Sequence, residues 1–105
     1  MSTNQDQAKT LVTAANTQMK EMLNKNKGLF FSPAYKQASV LQKKLEAAAG
    51  LLTDVSKVTE AKTVLTTVNN EMLSLLDDNK SLSSFEMYKE AQKVQKSVAE
   101  AAGLL

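Results

Sequence analysis

The sequence predicts an all-α protein, an antiparallel four-helix bundle built from two tandem, pseudo-symmetric helical hairpins. Two observations lead to this prediction. Apolar residues recur at steps of three and four, the spacing that places side chains on one face of an α-helix. The chain also repeats itself with a period of 53: residues 1–52 align with residues 54–105 without a gap, and 20 of the 52 pairs are identical. Such a repeat predicts one supersecondary unit used twice within a single domain, residues 1–105.

The first and third helices are predicted at about residues 4–25 and 56–77. The apolar stripe of the first helix consists of Ala8, Val12, Ala15, Met19 and Met22. The stripe of the third consists of Val58, Ala61, Leu65, Val68, Met72 and Leu75. The threonines and β-branched residues of the segment TVLTTV also suit a strand. A strand would need strict alternation of apolar and polar residues, so the three-four spacing favours a helix.

The second and fourth helices are predicted at about residues 33–49 and 84–102. Their stripes are again equivalent: Ala38, Leu41, Leu45, Ala48 and Leu52 in the second, and Ala91, Val94, Val98, Ala101 and Leu105 in the fourth. Ser32 before Pro33 is typical of an N-cap followed by proline at the first helical position. Ser83 and Glu86 have the spacing of a capping box.

Gly50 and Gly103 each follow a predicted helix, where we expect them in the left-handed conformation that often ends helices. The connections between the helices are short, which favours antiparallel neighbours and a closed up-down-up-down bundle. A solenoid of two stacked hairpins is the alternative. The bundle is favoured because each helix has one main apolar stripe rather than two.

Composition excludes several kinds of site. The chain has 13 basic residues, all of them lysine, against 11 acidic residues, and it contains no arginine, histidine, cysteine or tryptophan. Without arginine, a dedicated reader of nucleic acid is not expected. Without histidine and cysteine, the chain lacks the commonest general base and the commonest soft metal ligands. We therefore expect no enzymatic activity, no cofactor, no metal and no small-molecule substrate.

Two groups of charged residues suggest a function only weakly. Asp77 and Asp78 are adjacent acids, and a polar helix end explains them better than a catalytic pair does. The lysines of the fourth helix, Lys89, Lys93 and Lys96, are interleaved with glutamates, which is typical of a solvated face rather than of a lipid or nucleic-acid surface. No apolar run is long enough to span a membrane, and the start MSTNQDQAKT does not resemble a secretory signal. We expect a soluble protein of the cytoplasm or of a virion.

The two halves differ most at the turn between their helices. The first turn reads GLFFSP and the second SLSSFE, so that Phe30 and Phe31 align with Ser83 and Ser84. The two phenylalanines are expected to cover the end of the bundle over Leu29. The alternative is that at least one of them docks on a partner or on a second copy, since exposed aromatic residues are enriched at interfaces.

A second difference lies at Leu104 and Leu105. The equivalent leucines in the first half, Leu51 and Leu52, lead into the third helix. Leu104 and Leu105 instead follow Gly103 at the terminal carboxylate. They are expected to cover their own bundle, with insertion into a neighbouring copy as the alternative. Leu29, Phe30, Phe31, Leu104 and Leu105 are therefore the candidate partner-binding residues.

These features predict a non-enzymatic structural or interaction protein. It would be a small helical component or adaptor of a larger protein assembly, such as a virus or phage particle, and would bind a protein partner or itself. The alternative function is a free-standing helical binder that inhibits or chaperones one protein partner. An enzyme that uses Asp77 and Asp78 is the least favoured reading.

Overall fold

The computed structural model describes residues 3–105, which form four α-helices and no strand. The helices are α1 (Asn4–Lys25), α2 (Pro33–Leu51), α3 (Val58–Asp78) and α4 (Glu86–Leu104). A short 3₁₀ helix precedes each of the last three, at Lys27–Leu29, Val55–Lys57 and Lys80–Leu82. The prediction of an all-α protein with four helices is confirmed.

The four helices pack side by side around one core. Helix α1 packs against α2 and α4, and α3 packs against the same two helices, so the arrangement closes into a ring. The resulting particle measures 40 × 21 × 20 Å. Its long axis is somewhat longer than a single helix of about 20 residues, which spans about 30 Å. Because α1 contacts α4, the helices form a bundle rather than an open stack of two hairpins.

The core consists mainly of the predicted stripes, except that Val58 is half-buried and that Leu23, Leu76 and Gln42 are buried in addition. Ten pairs of positions separated by 53 residues are buried in both halves. In the first half these positions are Ala8, Val12, Ala15, Met19, Met22, Leu23, Ala38, Leu41, Leu45 and Ala48. Leu52 is also buried, whereas Leu105, at the equivalent position, is half-buried. Burial of these side chains is the main source of stability for a bundle of this size.

The predicted helix starts are right for α2 and wrong for α4. Ser32 is the N-cap of α2, where its hydroxyl accepts a hydrogen bond from Tyr35 N at 3.1 Å, and Pro33 follows as the first helical residue. Helix α4 instead begins at Glu86, with Phe85 as an N-cap that makes no side-chain hydrogen bond. Ser83 ends the preceding 3₁₀ helix, so it cannot form the expected capping box.

The prediction that Gly50 and Gly103 end their helices in the left-handed conformation is wrong. Both residues lie within α2 and α4, which end one residue later, and no glycine in residues 3–105 has a positive φ. The helices continue because the following leucines pack against the core. A Cβ atom at either glycine would meet no other atom within 4 Å. The helical backbone therefore tolerates glycine here without requiring it.

Candidate functional site

Exposed apolar side chains are concentrated at the end of the bundle that carries the turns Lys27–Leu29 and Lys80–Leu82. Five of the eight exposed large apolar residues belong to these turns or follow them closely. We call them the rim surface, and they are Leu29, Phe30, Phe31, Leu82 and Phe85. All three phenylalanines of the chain are among them. Exposed apolar clusters of this kind are uncommon on a soluble monomer and mark interaction sites.

The expectation that Phe30 and Phe31 cover the bundle end is wrong. Their side chains are 66% and 65% exposed, and they contact each other edge to face with ring centroids 5.9 Å apart. Both residues directly follow the 3₁₀ helix Lys27–Leu29, in the turn that precedes α2, and the backbone there leaves residues 30 and 31 on the outside. Ser83 and Ser84, at the equivalent positions, are exposed as well.

Beneath the rim surface lies a cavity of about 370 Å³. Its inner wall is formed by buried side chains of all four helices, namely Met19, Met22, Ala38, Leu75, Leu76 and Ala91. Leu29, Leu82 and Phe85 of the rim surface border it, and Glu86 contributes the one charged side chain. The volume falls within the range of about 300–1,000 Å³ that small-molecule pockets occupy.

The two asparagine amides of the cavity wall already have partners. Asn26 Nδ2 donates to the carbonyl of Met22 at 2.8 Å, and Asn79 Nδ2 donates to the carbonyl of Leu75 at the same distance. Each of these carbonyls, near the end of α1 or α3, also accepts from the backbone amide of the same asparagine at 3.2 Å. Within residues 3–105, no buried side-chain nitrogen or oxygen lacks a hydrogen-bond partner. The wall therefore presents mainly apolar surface.

Leu104 and Leu105 are half-buried and pack against the core of their own bundle. Gln5 at the start of α1 lies beside the end of α2, since its Nε2 donates to the carbonyl of Leu52 at 2.8 Å. Helix α4 begins beside the rim surface, directly after Phe85, and runs for 19 residues to Leu104. The candidate leucines therefore lie apart from the rim surface, which includes the other three candidate residues. Their binding to a partner stays a prediction.

The two helices of each hairpin are joined by one part-buried polar contact. Gln42 Nε2 of α2 donates to Asn16 Oδ1 of α1 at 2.9 Å, and Gln95 Nε2 of α4 donates to Asn69 Oδ1 of α3 at the same distance. Gln42 is 8% exposed and is the one buried polar side chain among the described residues. A single buried polar pair in an apolar interface can fix the register of two helices.

Ion pairs, in contrast, lie on the surface and differ between the halves. Lys20 Nζ of α1 lies 2.7 Å from Glu46 Oε1 of α2, and this ammonium lowers the pKa of the Glu46 carboxyl through a hydrogen bond and its charge. The side-chain and backbone groups of Ser56, which both donate to Asp54, lower the pKa of that carboxyl. Neither carboxyl lies in the cavity.

The remaining charged candidates form no evident site. Asp77 and Asp78 are exposed at the end of α3, and Asp77 Oδ1 lies 3.8 Å from Lys80 Nζ. In the part of the chain that the structure describes, no three acidic side chains come together in a way that could hold a metal ion. Over the same residues, every helix is too short or too polar to cross a membrane.

Comparison of the chain with models of protein families, with curated proteins and with solved structures finds no match. Function therefore has to be inferred from the rim surface and the cavity.

The cavity was not predicted from the sequence, although one signal for it is present there. Met87 of α4 packs against the core, whereas the equivalent residue in α2 is Ala34. Both line the cavity, so a short side chain stands where the other half has a long one. Leu82 and Phe85 were not predicted either, because single apolar residues within the serine-rich stretch SLSSFE are a weaker signal than two adjacent phenylalanines.

Proposed function

We propose that the protein is a non-enzymatic interaction protein that binds a protein partner through the rim surface, as a small component or adaptor of a larger assembly. The observation that carries this proposal is the clustering of five large exposed apolar side chains at one end of the bundle. Aromatic side chains supply most of the binding energy in many protein interfaces, and burial of Phe30, Phe31 and Phe85 would supply such anchors.

The proposed partner presents an apolar segment, because the rim surface offers apolar side chains and few charges. Lys25 and Lys80 lie nearby but are already opposite Glu90 at 3.5 Å and Asp77 at 3.8 Å. Charge pairing would therefore contribute to the specificity of the complex more than to its affinity. Binding to nucleic acid is not part of the proposal.

A free-standing binder of one partner is the second candidate function. It is favoured by the concentration of exposed apolar side chains at a single end, because a repeating component needs at least two different contact surfaces to build an open array. Val40, Val55 and Leu73, the other exposed large apolar residues, do not belong to the rim surface. A virus or phage particle is proposed as the larger assembly only for the first candidate function, the component or adaptor.

We also infer that the bundle is antiparallel and that its halves derive from one duplicated hairpin. The Gln5 contact brings the start of α1 to the end of α2, and the hydroxyl of Tyr35 donates to the carbonyl of Leu23 at 3.1 Å, which brings the end of α1 to the start of α2. Helices α2 and α4, and the 3₁₀ helices before them, have bounds that are offset by 53 residues. The buried Asn–Gln contacts are offset in the same way.

The proposal is tested by isolating the tagged protein from its native source and measuring the mass of its complexes. The F30S/F31S variant carries the serines that the second turn has at these positions and should lose the bound partner. The control variant V55S/L73S removes two exposed apolar side chains outside the rim surface and should retain it. A partner retained by F30S/F31S would contradict the proposal. Assembly that is lost only on deleting Leu104 and Leu105 would assign the interface to those residues instead.

A further inference from the structure

We infer that the cavity beneath the rim surface is a binding site for a small, uncharged apolar molecule, such as a linked pair of aromatic rings or a medium-length alkyl chain. A cavity of about 150 Å³ lined by apolar side chains is large enough to bind benzene. The cavity of this bundle, at about 370 Å³, is more than twice that size and opens at one end. This inference goes beyond the proposed function, and it departs from the expectation that composition alone suggested for small molecules.

The two halves of the bundle contribute side chains of different length to the cavity wall. Met87 extends from α4 against the core and lines the cavity, whereas Ala34 occupies the equivalent position on α2. The cavity opens at one end, where the exposed side chains of Leu29, Leu82 and Phe85 border it. A longer side chain at position 34 would reduce the space that a ligand can occupy.

The wall is suited to apolar ligands of irregular shape. Three of the five methionines of the chain line it, namely Met19, Met22 and Met87. Methionine side chains are unbranched and polarizable, so they adjust to a ligand at small energetic cost and contact aromatic rings favourably. The wall is therefore adaptable where a wall of leucine and isoleucine would be rigid.

The polar groups of the cavity select an uncharged ligand. The cavity wall includes no lysine that could hold an anion, and the amide nitrogens of Asn26 and Asn79 already donate to backbone carbonyls. The carboxylate of Glu86 is exposed at the cavity and would repel a ligand that carries a carboxylate. A neutral molecule is therefore preferred to a fatty acid of equal length.

The side chains of Phe30 and Phe31 do not compete for this space. They contact each other and remain mostly exposed, while Leu29 of the same turn borders the cavity. Replacing both phenylalanines by serine should consequently leave the cavity intact. Binding in the cavity and binding on the rim surface can then be separated by substitution.

The test is a fluorescence titration of the full chain with N-phenyl-1-naphthylamine, a neutral dye that brightens in apolar surroundings. The A34M variant, which places in α2 the residue that α4 already has, should bind about tenfold more weakly or worse, since each filled methylene position affects an apolar pocket strongly. The F30S/F31S variant should bind within about twofold of the wild type. The A34L variant serves as a second cavity-filling change, and circular dichroism checks that each variant is folded.

Competition with 1-decanol and with decanoate tests the preference for an uncharged ligand. Decanol should displace half of the dye at a lower concentration than decanoate does. In the E86Q variant these two concentrations should lie closer together. Equal displacement by both compounds in the wild type would contradict the role given to Glu86.

Three results would overturn the inference: no binding of the dye by the wild type, unchanged binding by folded A34M and A34L, or binding lost in F30S/F31S alone. The last result would place the dye on the rim surface. A particle mass that doubles with concentration, and that A34M returns to the monomer, would identify the occupant as a second copy. None of these results depends on a protein partner, so they are independent of the test of the proposed function.

Discussion

The turns at residues 26–32 and 79–85 have the same backbone and different side chains. Asn26 and Asn79 have φ and ψ of −112° and 21° and of −115° and 21°. Ser32 and Phe85, six residues later, have −76° and 146° and −78° and 145°. The amide of Leu29 donates to the carbonyl of Asn26 at 2.8 Å, as the amide of Leu82 does to that of Asn79.

The difference between the turns shows that the backbone does not require phenylalanine at positions 30 and 31. The second turn forms the same 3₁₀ helix with Ser83 and Ser84. Serine is the ordinary choice for an exposed turn, whereas two exposed phenylalanines leave apolar surface in water. We therefore attribute the shared backbone and the shared core to folding, and the exposed phenylalanines of the first turn support the proposal that this end binds a partner.

The largest loss of stability is expected from substitutions in the core, where the two halves are most alike. Met19 and Met72 are equivalent and fully buried. Met72→Ala should lower the free energy of unfolding by about 2–5 kcal/mol. Met19→Ala should lower it less, because part of the Met19 side chain already borders the cavity. Denaturant unfolding measures both values, and an equal or larger loss for Met19→Ala would argue against the cavity.

Removing the Asn–Gln contact of either hairpin should give the next largest loss of stability. Gln42→Ala leaves Asn16 without its partner and should cost about 1–3 kcal/mol. Gln95→Ala should cost less, because Gln95 is half-buried and water can reach Asn69 more easily. Double-mutant cycles with Asn16→Ala and Asn69→Ala isolate the two pair energies. Additive losses within each pair would show that the hydrogen bonds contribute nothing.

Replacing either of the two helical glycines by alanine should raise the free energy of unfolding slightly. Gly50→Ala and Gly103→Ala should each stabilise the protein by about 0.5–1 kcal/mol, because alanine loses less backbone entropy in a helix and its Cβ meets no other atom. Thermal unfolding of the single variants and of the pair measures the gain. A loss on substitution would mean that the glycines adopt the left-handed conformation after all.

Much of the fold could be predicted from the sequence, because each helix carries a stripe long enough to define its period. The four helices and the bundle are confirmed, and so is burial of the predicted stripes except at Val58 and Leu105, which are half-buried. The ends of the helices were less predictable. Gly50 and Gly103 are of a residue type that favours C-caps, but α2 and α4 continue one residue past them, where leucines pack against the core. Ser83 is of a type that favours N-caps, but it follows a 3₁₀ helix, and α4 begins only at Glu86. Antiparallel order and duplication stay predictions that the paired contacts support.

The candidate site could be predicted only in part. Two adjacent phenylalanines are unusual in a turn and predicted a candidate site, but only the folded turn shows that both side chains are exposed. The cavity is bordered by Ala34, and an alanine near an apolar stripe ordinarily indicates close helix packing. Only the arrangement of the four helix ends shows that the side chains there leave a space between them.

A still smaller effect is expected from the ion pair of the first hairpin. At the positions of Lys20 and Glu46 the second hairpin has Leu73 and Ala99. Exchanging the pair for these residues in K20L/E46A should change the stability at neutral pH little, since both groups are exposed. In K20L alone, NMR titration should show the pKa of Glu46 rising toward its ordinary value.

The pH dependence of this ion pair follows from the lowered pKa of Glu46. A carboxyl whose pKa is lower in the folded state stabilises the protein above its unfolded pKa of about 4.3, and this contribution disappears as the pH falls through the folded value. Any difference between the free energies of unfolding of the wild type and of K20L/E46A should therefore shrink as the pH falls. A difference that grows on acidification would contradict the assignment.

The most direct measurement is the free energy of unfolding of F30S/F31S, obtained from denaturant titration. Because Phe30 and Phe31 are exposed and lie outside the core, the free energy of unfolding of the variant should lie within about 0.5 kcal/mol of the wild-type value, as for other surface substitutions. A loss of about 3 kcal/mol or more, the size expected when a buried phenylalanine is removed, would contradict it. The two phenylalanines would then belong to the core.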